Sequence, residues 1–153
     1  MLHVGDRAPR FEARDTQGNT FRLDDLAGKK NVVLFFYPKA FTPGCTTEVC
    51  SFRDVYDEFQ KSDTEVVGVS TDDLDTQERF AGAHRLPFPL LTDNDRKIAN
   101  GFGVLGFLRA LVGMVQRATF VIDKQGVIRG VFHHELAIGR HIEDVRDCLA
   151  KLS

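Results

Sequence analysis

Asn31-Val32-Val33-Leu34-Phe35-Phe36-Tyr37 is apolar from its second residue onward, and the run stops at Pro38. A short stretch this rich in β-branched and aromatic residues reads as a strand buried on both faces, as at the centre of a largely parallel sheet. Beyond it, Thr42-Pro43-Gly44-Cys45 reads as a helix start. Thr42 is a suitable N-cap, and Pro43 falls at the first helical position, where its missing N–H is no loss. From Pro43 to Gln60 the apolar residues Val49, Phe52, Tyr56 and Phe59 recur at spacings of three and four, which predicts helix. A buried strand feeding a helix points to an α/β layered domain.

The flanking sequence fits that plan. Upstream, Asp15-Thr16-Gln17-Gly18-Asn19 sits between two short extended runs within Phe11 to Leu23, which predicts an N-terminal hairpin. Downstream, Glu65 to Ser70 predicts a second buried strand, and Leu74 to His84 a helix capped by Thr71-Asp72-Asp73. Phe88 to Leu91 predicts a short strand and Asp95 to Phe102 a short helix. Thr119 to Ile122 and Val127 to Phe132 predict a hairpin turning at Asp123-Lys124-Gln125-Gly126. Ile142 to Leu152 predicts a closing helix. The order describes an α/β sandwich around a mixed sheet.

At 153 residues, with 42% hydrophobic and 27% charged residues, the chain is sized and composed as one globular domain spanning residues 1–153. Its net charge of -2, spread without like-charge blocks, gives no basis for binding nucleic acid or an anionic membrane. The N-terminus lacks the pattern of a secretory signal, and the longest apolar stretch, Val104 to Val115, is interrupted by Arg109 and too short to span a bilayer. Three cysteines form no disulfide scaffold and favour a reducing compartment, so a cytoplasmic location is expected.

Cys45 would be the third residue of its helix. Backbone N–H groups without intrahelical partners and the positive end of the helix dipole favour a negatively charged sulfur there. The thiolate is the nucleophilic form of cysteine. Cys50 follows five residues later. In an intact helix the two Cα atoms lie about 8.7 Å apart, whereas a disulfide spans roughly 4.4–6.8 Å. Pairing therefore requires at least one turn to unwind. Two inert core cysteines are the plainer alternative. A zinc site is rejected, because Cys-x4-Cys is too wide for a knuckle and no second pair has ligand spacing.

Pro38-x-x-x-Thr42-x-x-Cys45 resembles the active-site signature of the peroxiredoxins. The longer stretch from Phe36 to Cys50 is similar to the bacterioferritin comigratory protein (PrxQ) subfamily, as are Val4 to Phe11, Val67 to Ser70, Leu86 to Asp93 and Arg117 to Asp123. The resemblance covers nearly the whole chain. It implies a thioredoxin-like fold, a central mixed sheet flanked by helices with an N-terminal hairpin. It also implies peroxidase activity on hydrogen peroxide and organic hydroperoxides without cofactor or metal. In this resemblance Cys45 matches the peroxidatic cysteine and Cys50 the resolving cysteine. Thr42 matches the hydroxyl that contacts sulfur and peroxide, Arg117 the arginine that arrives from a distant strand, and Pro38 the residue shielding the pocket. The implied reductant is thioredoxin or a similar dithiol, and a monomer is the implied state, with a weak dimer as the alternative. A redox sensor or a thiol–disulfide oxidoreductase of the same fold remains the rival reading.

Other features carry less. Gly101-x-Gly103-x-x-Gly106 has the spacing of a dinucleotide loop but follows a helical stretch, so a helix stop is expected. His133-His134-Glu135 lies on alternating strand faces, unsuited to joint chelation. His84 and His141 read as structural or surface residues, and Cys148 as a small core residue beside Val145 and Leu149. Arg117, taken alone, reads as a surface residue before a strand. The apolar segment Val104 to Val115 is expected to be buried, to cover the active site, or to favour self-association or a hydrophobic substrate.

Overall fold

The computed structural model describes residues 1–106, 114–133 and 138–152. Its centre is β3 (Asn31–Phe36), which pairs in parallel with β4 (Thr64–Ser70) and antiparallel with β6 (Ala118–Ile122). β5 (Leu90–Thr92) extends the sheet in parallel beyond β4, and β7 (Ile128–Phe132) pairs antiparallel with β6. The order is β5-β4-β3-β6-β7, a mixed sheet, with a separate antiparallel hairpin of β1 (Glu12–Arg14) and β2 (Thr20–Arg22). The helices are α1 (Pro43–Lys61), α2 (Leu74–Ala83), α3 (Lys97–Phe102) and α4 (Ile138–Ala150), with a 3-10 turn at Leu23–Leu26.

Strand periodicity divides the core into two layers. Val33, Phe35 and Tyr37 face one apolar cluster with Val49, Phe52 and Phe59 of α1, Phe80 of α2 and Val145 and Leu149 of α4. Val32, Leu34 and Phe36 face the other, with Ile98, Ala99 and Phe102 of α3. Successive side chains of a strand point to opposite faces, so both faces of β3 must be apolar, and its sequence is. Complete burial of a valine, leucine or phenylalanine side chain, as at Val33, Leu34 and Phe35, contributes about 1.5–3 kcal/mol. Packing across β4 leaves no space at Gly68, where a Cβ would lie 2.7 Å from both Leu90 and Phe35 side-chain atoms.

The predicted elements are present with shifted ends. β5 begins at Leu90, not Phe88: Phe88 is buried by packing its ring edge on Phe35, outside the ladder. α3 begins at Lys97, after Asp95 has turned back to accept the Lys97 N–H and Arg96 has adopted a left-handed φ of 61°. α4 begins at Ile138, a turn earlier than expected. Gly103 ends α3 in the left-handed region (φ 71°), so the glycine-spaced segment is a helix stop, as its context predicted. In the Val104 to Val115 stretch both end residues are fully buried, while residues 107–113 lie outside the described residues, as do His134 and Glu135.

Candidate active site

β3 and β4 run parallel, and the chain leaving β3 passes over their carboxyl ends before α1 begins. In open α/β sheets this is where sites form. The connection is firmly tied. The Tyr37 N–H donates to the Val69 carbonyl at 3.0 Å, and the Ala40 N–H to Asp72 Oδ2 at 2.8 Å. The Asp72 carboxylate also accepts from Ser70 Oγ at 2.7 Å, which ties the loop to the end of β4. Below it Tyr37, sealed in the core, shares a hydrogen bond with Gln77, whose amide donates to the Leu91 carbonyl. Burial keeps the Tyr37 phenol protonated far beyond the usual range.

Pro38 is half-buried in this connection. Phe41 follows with a φ of 66°, uncommon for a bulky side chain, and is half exposed with its ring against Phe80. Thr42 occupies the N-cap position of α1, but its side chain does not cap the helix. It donates instead to the Lys39 carbonyl at 2.7 Å, which closes the turn and leaves oxygen lone pairs to accept. The first helical hydrogen bond runs from the Thr46 N–H to the Thr42 carbonyl. The N–H groups of Gly44 and Cys45 are therefore in the unpaired first turn, as the sequence predicted.

Cys45 is fully buried, in the layer shared with Val49 and Phe52. Arg117 reaches it from just before β6, the strand that neighbours β3 on the side away from β4. Ala118 pairs with Phe36, so the residue before it arrives at the end of β3, where α1 starts. Arg117 is only 6% exposed, which overturns its reading as a surface arginine. Its Nη2 donates to Cys45 Sγ at 3.3 Å and its Nη1 to Glu48 Oε1 at 2.7 Å. Burial pulls the guanidinium toward deprotonation, but Glu48 and Cys45 more than offset this and raise its pKa. The arginine is a permanent positive charge beside the sulfur.

Glu48 was not singled out in the sequence, although it lies one turn beyond Cys45 and so on the same helix face. It is fully buried. A carboxylate at that depth needs a cation, and its presence after the cysteine was the available signal. Cys50 is half-buried on the same helix, with its Sγ 3.7 Å from His84 Nδ1. His84, read as structural or surface, thus meets a cysteine. All three cysteines are free thiols. Cys148 is half-buried on α4 and donates weakly to the Arg129 carbonyl at 3.6 Å, and burial pushes its thiol up, as suits an inert residue.

The arrangement can do specific chemistry. A sulfur faces a permanent cation and the N–H groups of a helix end, where anionic charge on sulfur or on a leaving oxygen is stabilised. One surface cleft of about 640 Å³ is lined elsewhere, by residues such as Phe11, Arg14, Asp93 and Lys97. Its lining includes no cysteine.

Comparison with known proteins agrees with this geometry. The AhpC/TSA family model matches residues 4–131. The chain belongs to the AhpC/TSA family. Among its relatives, the putative peroxiredoxin bcp of Coxiella burnetii is 39% identical over 148 residues, covering 94% of this chain and 96% of that protein. Peroxiredoxin Bcp of Bacillus subtilis is 42% identical over 129 residues, covering 82% and 81%. The crystal structure of peroxidoxin BcpB from Mycobacterium tuberculosis superposes with a TM-score of 0.91 at 38% identity, covering 100% of this chain and 99% of that one. The peroxiredoxin is of the Bcp/Q type, a peroxidase with the thioredoxin-like fold of its neighbours. Among its described residues, no helix is long and apolar enough to cross a membrane.

Proposed function

We propose that this peroxiredoxin reduces hydrogen peroxide and organic hydroperoxides through Cys45, as one domain over residues 1–153. The Cys45 thiolate attacks one oxygen of the O–O bond. An S–O bond forms, the O–O bond breaks, and the other oxygen leaves as water or alcohol after taking a proton. Sulfur is oxidised by two electrons to the sulfenic acid. The Cys50 thiolate then attacks that sulfur, an S–S bond forms, and hydroxide leaves and is protonated to water. A dithiol reductant, thioredoxin or one like it, restores both thiols.

The observation that carries this reading is the 3.3 Å hydrogen bond from Arg117 to Cys45 Sγ in the first turn of α1. That contact gives the sulfur the charge environment a nucleophile needs, and the same guanidinium would help to orient a peroxide brought to it. Thr42, with its hydroxyl already donated to Lys39, can accept a hydrogen bond from the peroxide. Pro38 would screen the pocket from water. Cys45 is sealed and lies in an intact helix with Cys50. Peroxide entry therefore requires the 38–42 connection to move, and disulfide closure requires α1 to unwind at its first turns. Phe41, held in a conformation that costs energy, is placed to release that movement.

The test is a coupled assay with peroxide, thioredoxin, its reductase and NADPH. Cys45→Ser is expected to lose all turnover. Cys50→Ser is expected to consume about one equivalent of peroxide and then stall. Full turnover by Cys45→Ser overturns the reading. Insulin-disulfide reduction without peroxide consumption would favour an oxidoreductase instead.

A further inference from the structure

The Cys50–His84 contact has no place in the peroxide step. Cys50 Sγ lies 3.7 Å from His84 Nδ1, within hydrogen-bonding reach for sulfur. The imidazole is held in place from three directions. Its ring stands edge-on to Phe80, with centroids 5.3 Å apart and planes at 85°. Its backbone N–H donates to the Phe80 carbonyl, and its carbonyl accepts from Arg53 Nη1 at 2.9 Å. Arg53 projects from α1, three residues after Cys50, so the same helix that carries the sulfur also anchors the histidine. Among the described residues, the titratable or charged groups shown against His84 are Cys50 and Arg53, both from α1. Arg53 is itself paired with the exposed Asp54, and Arg85, the next residue in the chain, is exposed.

Among the described residues, the side chain shown against the Cys50 sulfur is that of His84, not an arginine. Attack on a sulfenic acid needs the thiolate. We propose that His84 is a catalytic base for disulfide closure: neutral, with its proton on Nε2, it takes the Cys50 thiol proton at Nδ1. The resulting thiolate attacks Cys45 sulfur, the S–S bond forms and the S–O bond breaks. The departing hydroxide takes a proton from the imidazolium and leaves as water, which returns His84 to its neutral form. The inference rests on the proposed role of Cys50. The geometry suits it, because Cys45 is in the first turn, where a helix frays most readily, while Cys50 is a turn and a half inside. Fraying brings Cys45 to Cys50, and Cys50 stays beside its base.

The experiment follows single turnover. Reduced protein is mixed with one equivalent of hydrogen peroxide, quenched with N-ethylmaleimide, and resolved by mass into dithiol, sulfenic acid and disulfide. The variants are His84→Asn, which keeps a polar group near the Nδ1 position, and His84→Gln. Both are expected to form sulfenic acid at the wild-type rate, which also reports an intact fold at Cys45. Both are expected to close the disulfide about tenfold more slowly at pH 7, a modest general-base effect. At pH 9, where hydroxide can take the thiol proton in place of His84, closure by variant and wild type is expected to converge. A purely structural role would slow closure equally at both pH values, and that result overturns the proposal, as does closure at the wild-type rate at pH 7. A wild type that never joins Cys45 to Cys50 overturns the pairing and this proposal together. A wild type that joins them at a rate indifferent to His84 overturns this proposal alone.

Discussion

Glu48 and Asp93 are both carboxylates removed from solvent, at 0% and 2% exposure, and the fold satisfies them in opposite ways. Glu48 faces a guanidinium at 2.7 Å. Asp93 faces backbone: its two oxygens accept the N–H groups of Ile98 at 3.0 Å and Ala99 at 2.8 Å. A full countercharge fixes the position of its partner, and that partner, Arg117, also donates to the Cys45 sulfur. Backbone dipoles compensate a charge less completely, so burial pushes the Asp93 carboxyl up to about 6, against the pull of those two N–H groups. One buried acid thus serves to aim a cation. The other ties β5 to α3 and pays for its depth in proton affinity.

The sharpest way to break this contrast is to remove the cation. Arg117→Met keeps the length of the side chain and deletes its charge. The Cys45 sulfur loses its donor and Glu48 is left buried without that partner. Stability is expected to fall by about 3–5 kcal/mol, the usual cost of breaking one side of a buried pair. The second-order rate constant for peroxide is expected to fall by about 10²–10³-fold, the range for losing one charge-stabilising donor. Stopped-flow oxidation and urea unfolding measure the two. An Arg117→Met protein that reacts as fast as wild type would separate the arginine from the chemistry altogether.

Glu48→Gln probes the same pair more gently. Glutamine retains an acceptor for Nη1, so the guanidinium keeps its aim and loses only the opposing charge. The peroxide rate is expected to fall by about tenfold, less than for Arg117→Met because the donor to sulfur survives. Stability is expected to drop by about 1–3 kcal/mol. Equal losses in the two variants would mean that Glu48, and not Arg117, dominates the site.

The readability of these features from sequence follows their range along the chain. β3 and α1 were legible because their signals are local: an apolar run with a proline stop, then threonine, proline and a spacing of three and four. Cys45 was legible for the same reason. The start of β5 was misjudged because Phe88 is buried by packing on Phe35 from another strand, a contact that periodicity cannot display. Thr42 held its predicted position, yet its hydroxyl donates to the Lys39 carbonyl and does not cap the helix. Arg117 is 72 residues from Cys45, and only family resemblance pointed to it. His84 is 34 residues from Cys50, and nothing in its neighbourhood of sequence announced the contact. Glu48 was within reach, since a carboxylate one turn from a buried cysteine has to be balanced by something.

Asp93 offers the smallest effect and the most direct view of the difference between the two acids. Its folded pKa of about 6 lies above the ordinary value of 3.8, chiefly because burial disfavours the charge, with Asp95 adding repulsion. Between those two values the folded chain holds a proton that the unfolded chain has released. The contribution of this group to stability therefore grows as pH falls through about 6 and is lost as pH rises back through it. From pH 7 to pH 5 the gain is about 1 kcal/mol by linkage. Asp73 and Asp123, whose carboxyls are held below the usual range, act in the opposite sense, so the raw pH dependence of the protein mixes several groups. Asp93→Asn isolates the one. Asparagine cannot titrate, and its loss of one acceptor oxygen costs the same at either pH. Urea unfolding of wild type and variant at pH 7 and pH 5 is expected to show the gap between them widening by about 1 kcal/mol at the lower pH. A constant gap would mean that the two backbone N–H groups neutralise Asp93 as fully as Arg117 neutralises Glu48, and the contrast between the two buried acids would be gone.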